Sequence, residues 1–300
     1  LSSPMGTVVS NKLRSNQLIY CIENDHITKK IEKDGIYEVH LFNFLTKLLS
    51  KNKNFICLDV GANIGVVSLV MSKYAKHVIS FEPIKSLFSM IEKSIEANNI
   101  KNCKVINKGL SSTNKMAKIY INTSGNIGSS TLSKTHSLEN SKNTFNDSEV
   151  IDLEAGDDNE YLKSIDRIDL IKIDVEGHES DVVIGMQEII KKNDPLIILE
   201  WNNKETKDRF TSDNNLKRIF KKYHPFILTN NKKLFREKTQ SNKFLFRFRS
   251  ILRILYQLFH SNAYLEQVIL KDSFNLNGHY SSIVLFPESK KNITKDFKII

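Results

Sequence analysis

Short apolar runs of strand length alternate along the chain with stretches whose apolar residues recur at helical spacing. Residues 55–60 are apolar apart from Asp59, and Gly61, Gly65 and a helical stretch over 66–74 follow. Residues 77–81 form a second apolar run ending in Glu82-Pro83. Residues 86–98 then carry Leu87, Met90, Ile91 and Ile95 on one helical face, with Ser86 placed to cap it. Further strands are predicted at 104–107, 118–122, 168–173, 196–199, 226–229 and 281–286, and further helices at 37–49, 180–192 and 215–223. The run Ile-Asp-Leu-Ile-Lys-Ile over 168–173 is nearly continuous, as expected of a parallel strand covered on both faces.

This alternation from residue 54 to 229 predicts an α/β, Rossmann-like fold: a mostly parallel sheet with helices on both faces. The last strand, 281–286, is expected to return antiparallel beside 226–229. Residues 1–20 read as a polar, loosely ordered lead-in, making 1–34 an N-terminal extension to a single domain over 35–300. A helical insertion is expected at about 235–275, where Phe244, Phe248, Leu252, Leu255 and Phe259 recur at helical spacing among Arg247, Arg249 and Arg253. A basic amphipathic helix over 244–259 fits a cover for the substrate cleft, an oligomer contact or a peripheral membrane contact. The longest loop-like stretch is 123–148.

The candidate chemistry gathers at strand ends. Gly61 permits a tight turn after the 55–60 strand, and Gly65 lets the following helix approach a ligand or the sheet closely. Glu82 lies 21 positions after Gly61, near the offset of about 20 at which an acidic residue meets ribose hydroxyls. The glycine pattern is D-x-G-x-x-x-G, one glycine short of a dinucleotide fingerprint, and no phosphate-binding lysine follows it. A nucleoside without a pyrophosphate is therefore expected, and S-adenosylmethionine fits, with its ribose on Glu82 and its charged end near Asp59. A second group of ionisable residues, Asp174, Glu176, His178 and Glu179, follows the 168–173 strand, and Glu200 follows the next. A hydroxyl acceptor needs a base or a metal to take its proton. Asp174 and His178 are read as the proton-handling groups and Glu200 as the residue that orients the acceptor. Asp174 and Glu200 are also potential ligands of an optional Mg²⁺ or Mn²⁺.

Composition narrows the partners. The chain has 300 residues, 40% apolar and 26% charged, ordinary values for a globular domain. Its net charge of +10 raises the question of nucleic acid. The lysines are spread singly or in pairs, without a basic stripe interleaved with aromatics, so nucleic acid is not the expected partner. The three cysteines make no C-x-x-C pair, which argues against zinc and redox motifs and for a reduced, cytoplasmic setting, at most peripheral to the inner membrane face. No uncharged apolar stretch approaches the ~20 residues of a membrane-spanning helix.

Three segments taken together, Leu58-Asp-Val-Gly-Ala-Asn-Ile-Gly65, Phe81-Glu-Pro83 and Ile171-Lys-Ile-Asp-Val-Glu-Gly-His-Glu179, resemble the FkbM family of S-adenosylmethionine-dependent methyltransferases. The similarity covers roughly 35–202, with a weaker tail around 280–287. It implies a class I methyltransferase sheet of seven strands with the last antiparallel, and methylation of hydroxyls on sugars, glycans and related natural products. Gly128-Ser129-Ser130 is similar to that family's serine-containing loop over the cofactor. The cofactor set expected on this basis is Asp59, Gly61, Asn63, Gly65, Glu82, Gly109, Leu110 and Asp174. The alternatives left open are a nucleic-acid or other-acceptor methyltransferase and a non-catalytic Rossmann-like module. The strand end Asp174-Val-Glu-Gly177 lacks the [DN]-P-P-[YFW] tetrapeptide of amino-methylating nucleic-acid enzymes.

Overall fold

The computed structural model describes residues 2–3, 6–132, 147–234 and 267–300. The amphipathic stretch 244–259 and most of the polar stretch 136–148 lie outside the described residues. Nine strands form the main sheet, in the spatial order Lys298–Ile299, Val268–Lys271, Tyr223–Asn230, Tyr280–Pro287, Leu196–Trp201, Leu170–Ile173, Ile56–Val60, His77–Phe81 and Cys103–Ile106. The last five in that order run parallel. Tyr280–Pro287 is antiparallel to both its neighbours, so the expected returning strand sits between Leu196–Trp201 and Tyr223–Asn230. The first two strands of this array correct the expected count of seven. Val268–Lys271 pairs with the free edge of Tyr223–Asn230, and Lys298–Ile299 pairs with Val268–Lys271. The outer pairing buries Val268, Ile269 and Leu270, and it hides backbone groups that an open edge would present. Residues 268–271 are thus strand, although they fall within the range expected to be a helical insertion.

The parallel strands are apolar on both faces because helices cover both. Leu58, Val60, Ile79, Phe81, Ile171 and Ile173 on one face and Cys57, Val78, Leu170, Leu196 and Ile198 on the other are all buried, at about 1.5–3 kcal/mol of transfer free energy per large apolar side chain. Helices Val66–Ser72 and Lys85–Ala97 follow the first two of these strands in sequence, and Glu179–Gly185 with Gln187–Asn193 follow Leu170–Ile173.

Two segments depart from the sequence expectation. The lead-in is an antiparallel hairpin of Gly6–Lys12 and Leu18–Ile22. Its buried side chains Leu13, Ile19, Cys21 and Ile22 join the main core, and Tyr20 N–H donates to Ser94 Oγ on the Lys85–Ala97 helix (3.0 Å). The helix His26–Asp34 that follows is capped by Asp25 and stopped by Gly35 at φ 68°. The strand expected over 118–122 belongs to a separate sheet, in which Asp147–Ala155 lies between Gly109–Ser111 and Lys115–Ile121. Ile119, Ile151 and Leu153 of that sheet face the ligand edge of the main one. Among the described residues no helix is long and apolar enough to cross a membrane.

Candidate active site

Loops at the carboxyl ends of the parallel strands meet along one edge, where open α/β sheets place their ligands. A cleft of about 620 Å³ there is lined by Gly61, Asn63, Glu82, Gly109, Leu110, Asp174 and His178, with Pro83, Ile84, Ile119, Ile127 and Leu153 as apolar walls. Glu82 ends the His77–Phe81 strand. Its Oε2 accepts Asn63 N–H at 2.8 Å and its Oε1 accepts Ile84 N–H at 2.9 Å. Burial outweighs these two bonds and lifts its carboxyl to about 8. Gly61 has φ 76°, and a Cβ there would lie 2.0 Å from Asp174 O, so the turn can approach the neighbouring loop only without a side chain.

Two of the residues expected at the cofactor have other surroundings. Gly65, at φ 87°, starts the Val66–Ser72 helix, and a Cβ there would meet Ile91 at 3.1 Å. Its closeness serves helix packing, and it lines neither cavity of the site. Asp59 is 0% exposed and also lines neither. Its Oδ2 accepts Ser68 Oγ–H at 2.5 Å, and Lys172 Nζ lies 3.5 Å from its Oδ1. Asp59 therefore holds a lysine of the site from the interior, where its own side chain is buried.

Lys172 is 5% exposed. Its Nζ donates to Gly61 O at 3.1 Å and lies 3.3 Å from Asp174 Oδ2. Burial works against its charge, but Asp174, Asp59 and Glu38 hold the ammonium above the usual lysine range. A charged residue inside a buried strand requires such partners, and that was the sequence signal by which it could have been found.

A second cavity of about 720 Å³ shares Gly61, Asn63, Gly128, Asp174 and Glu176 with the first and adds Tyr37, Glu38, Lys172 and Glu200. One carboxylate oxygen each of Asp174, Glu176 and Glu200 lie within 4.8 Å of one another. Like charges this close resist joint ionisation. Burial, then Asp174 and Glu176, push Glu200 up to about 11, and burial, then Asp174 and Glu179, push Glu176 well above the carboxylate range. Burial and Asp174 lift Glu38 to about 7. The same three oxygens form a donor set suited to a hard divalent cation. Glu38 and Tyr37 were not anticipated. They precede the Val39–Lys51 helix, and only its packing brings them to the site.

The loop bearing this cluster is held by Glu179, 1% exposed. Its Oε1 accepts Val175 N–H (3.2 Å) and Gly177 N–H (3.1 Å), and its Oε2 accepts Thr206 Oγ–H (2.6 Å). These bonds fix Glu176 and Gly177 at φ 50° and 98°. His178 is set apart from the cluster. It lines the first cavity only, with Nε2 2.9 Å from Ser111 Oγ and Nδ1 3.4 Å from Asp181 Oδ2. Asp181 is itself bonded by Ser112 and Arg209. Burial lowers the affinity of the His178 ring for a proton, against the pull of Asp181. The structure thus brings Asp174 and Glu200 together, and it leaves His178 engaged at both nitrogens beside them.

The family model of the methyltransferase FkbM domain matches residues 59–236. The chain belongs to that family. This FkbM-family protein is 27% identical over 198 residues to methyltransferase sdnD of Sordaria araneosa, covering 56% of this chain and 75% of the relative. It is 25% identical over 180 residues to methyltransferase 1 of Beauveria bassiana, covering 56% and 69%. Among solved structures, a methyltransferase FkbM from Methylobacillus flagellatus KT aligns at a TM-score of 0.40 and 16% identity, over 58% of this chain and 39% of that chain. An O-methyltransferase from Bacillus cereus in complex with S-adenosylhomocysteine aligns at 0.38 and 11% identity, over 81% and 78%.

The FkbM-family protein is an S-adenosylmethionine-dependent methyltransferase, and its first cavity suits that cofactor. Glu82 retains lone pairs for a ribose diol beyond its two backbone bonds. Asn63 Oδ1 is buried without a hydrogen-bond partner on a residue common to both cavities. The apolar walls beside Gly109 and Leu110 offer a face for a purine, and Asp174 offers a charge for the cationic end.

Proposed function

We propose that this methyltransferase acts on a hydroxyl of an uncharged sugar, glycan or related polyol. The reading is carried by the make-up of the second cavity. Four carboxyl groups, Glu38, Asp174, Glu176 and Glu200, line it, and its one lysine is already engaged by Asp59 and Asp174. Polyol hydroxyls both donate and accept, which matches a mixture of neutral and ionised carboxyls. A phosphate-bearing acceptor would meet like charge there, so the overall basicity of the chain does not favour nucleic acid.

Bound S-adenosylmethionine supplies the methyl group from its sulfonium. Asp174, fixed by Lys172, takes the hydroxyl proton. Glu200, neutral near pH 7, donates a hydrogen bond that orients the acceptor, and Glu38 and Tyr37 line the same cavity. His178 supports the first cavity wall through Ser111 and Asp181. A second arrangement is favoured by the clustering of Asp174, Glu176 and Glu200: a divalent cation on these three would lower the acceptor hydroxyl's pKa directly. The three cysteines are free, in keeping with a cytoplasmic setting.

The test incubates the purified protein with S-adenosylmethionine and a panel of neutral glycosides, nucleosides and RNA, with and without EDTA. The readouts are S-adenosylhomocysteine release and product mass. Neutral glycosides are expected to gain one methyl. Turnover on RNA with none on any polyol would overturn the acceptor reading, and loss of turnover in EDTA restored by Mg²⁺ would select the cation-assisted arrangement.

A further inference from the structure

We propose that Asp25 is a positioning residue for the cofactor, tying the turn that roofs the cofactor cleft to the N-terminal helix and so setting how fast the cofactor leaves. The proposal rests on the cofactor cleft described above. The roof is the short turn Ile127–Ser129. Ile127 and Gly128 line the first cavity, and Gly128 lines the second as well. A Cβ on Gly128 would lie 3.2 Å from Asn63 Nδ2 and 3.3 Å from Ile27 Cδ1, so the turn is packed between the cofactor loop and the His26–Asp34 helix.

Asp25 joins these elements with one carboxylate. It is 3% exposed. Its Oδ1 accepts the N–H of Ile27 at 2.9 Å, capping the helix, and its Oδ2 accepts the N–H of Ile127, 102 positions away, also at 2.9 Å. His26 N–H donates to Gly125 O at 2.7 Å on the same side. On the other side Thr131 Oγ–H donates to Glu176 O at 3.3 Å. The roof is thus held at one end by the N-terminal helix and at the other by the loop bearing Glu176. Without the Asp25 carboxylate, the buried Ile127 N–H finds a partner only by moving out to water. That motion opens the cleft, and it leaves the Glu82 and Gly61 side of the site in place.

Two variants separate the roles of Asp25. Serine is a competent helix cap, but its shorter side chain has a single oxygen and does not reach Ile127. In Asp25→Ser the helix stays capped while the roof is released. Stopped-flow displacement of S-adenosylhomocysteine is expected to show dissociation faster by about ten- to a hundredfold, the factor for one hydrogen bond to a charged acceptor, with association little changed. Asp25→Ala is expected to add a loss of thermal stability. Amide exchange at Ile127 should be accelerated in Asp25→Ser, with Ile27 still protected. Wild-type dissociation rates in both variants would overturn the proposal, as would a slowed association with unchanged dissociation. Failure of the wild-type protein to bind S-adenosylhomocysteine would overturn the cofactor cleft itself, and the role of Asp25 with it.

Discussion

Replacing Lys172 with methionine removes the charge at the centre of the site and keeps most of the side-chain volume. At an effective dielectric of ~20, charge pairs separated by the 3.3 Å to Asp174 and 3.5 Å to Asp59 attract by about 5 kcal/mol each. Desolvation of the lysine and of the wholly buried Asp59 offsets most of that attraction, so the intact cluster adds little net stability. Breaking it is different, because two carboxylates and the Gly61 carbonyl lose their partner while they remain in place. The expected loss is about 3–5 kcal/mol, a large share of the ~5–15 kcal/mol that stabilises a typical domain. Urea unfolding near neutral pH with linear extrapolation measures it. The distinguishing observation is the double variant. Adding Asp59→Asn to Lys172→Met removes one orphaned charge and should recover at least about 1 kcal/mol. A loss below about 1 kcal/mol for Lys172→Met, or an Asp59→Asn penalty that simply adds to it, would refute the reasoning. S-adenosylhomocysteine affinity should fall in parallel, because the lysine also fixes the Gly61 carbonyl and Asp174.

Glu82→Ala should weaken S-adenosylhomocysteine binding about ten- to a hundredfold by calorimetry, the cost of charge-assisted bonds to the ribose. Burial holds the Glu82 carboxyl up to about 8, and the ionised form is the better acceptor, so affinity should rise with pH and level off above 8. Glu82→Gln should abolish that rise. Glu200 has its folded-state pKa raised from 4.5 to about 11. Its stability contribution is complete below pH 4.5 and is lost as pH rises through that interval. Glu200→Gln should therefore match the wild type at the acidic end and exceed it by at least about 1 kcal/mol by pH 8, while keeping most of its turnover, because the amide still donates to the acceptor. A stability offset independent of pH would contradict the assignment.

The succession of parallel strands and helices along the chain was legible because each is encoded locally. A strand covered on both faces is nearly continuous in apolar residues, as Leu170, Ile171 and Ile173 are around the partnered Lys172, and a covering helix must repeat its apolar residues every three or four positions. Gly61 and Glu82 were legible for the same reason, since a strand end, a tight turn and an acidic residue at a fixed offset all lie on one stretch of chain. The edge pairings of Val268–Lys271 and Lys298–Ile299 were not, because segments of four and two residues carry no period and become strands only where a neighbour offers an edge. The hairpin of Gly6–Lys12 and Leu18–Ile22 was hidden by polar residues on its outer face. The division of labour at the site was settled only in three dimensions. Register places Lys172 directly opposite Asp59, which turns an expected ligand contact into the partner of a buried lysine. The hydrogen bonds of Glu179 direct the turn that carries Glu176. Helix packing delivers Glu38 to the second cavity and Asp25 to the roof of the first. Periodicity along the chain reports which residues are covered. Which of them meet depends on register and on contacts between segments far apart in sequence, and those form only when the whole sheet has closed.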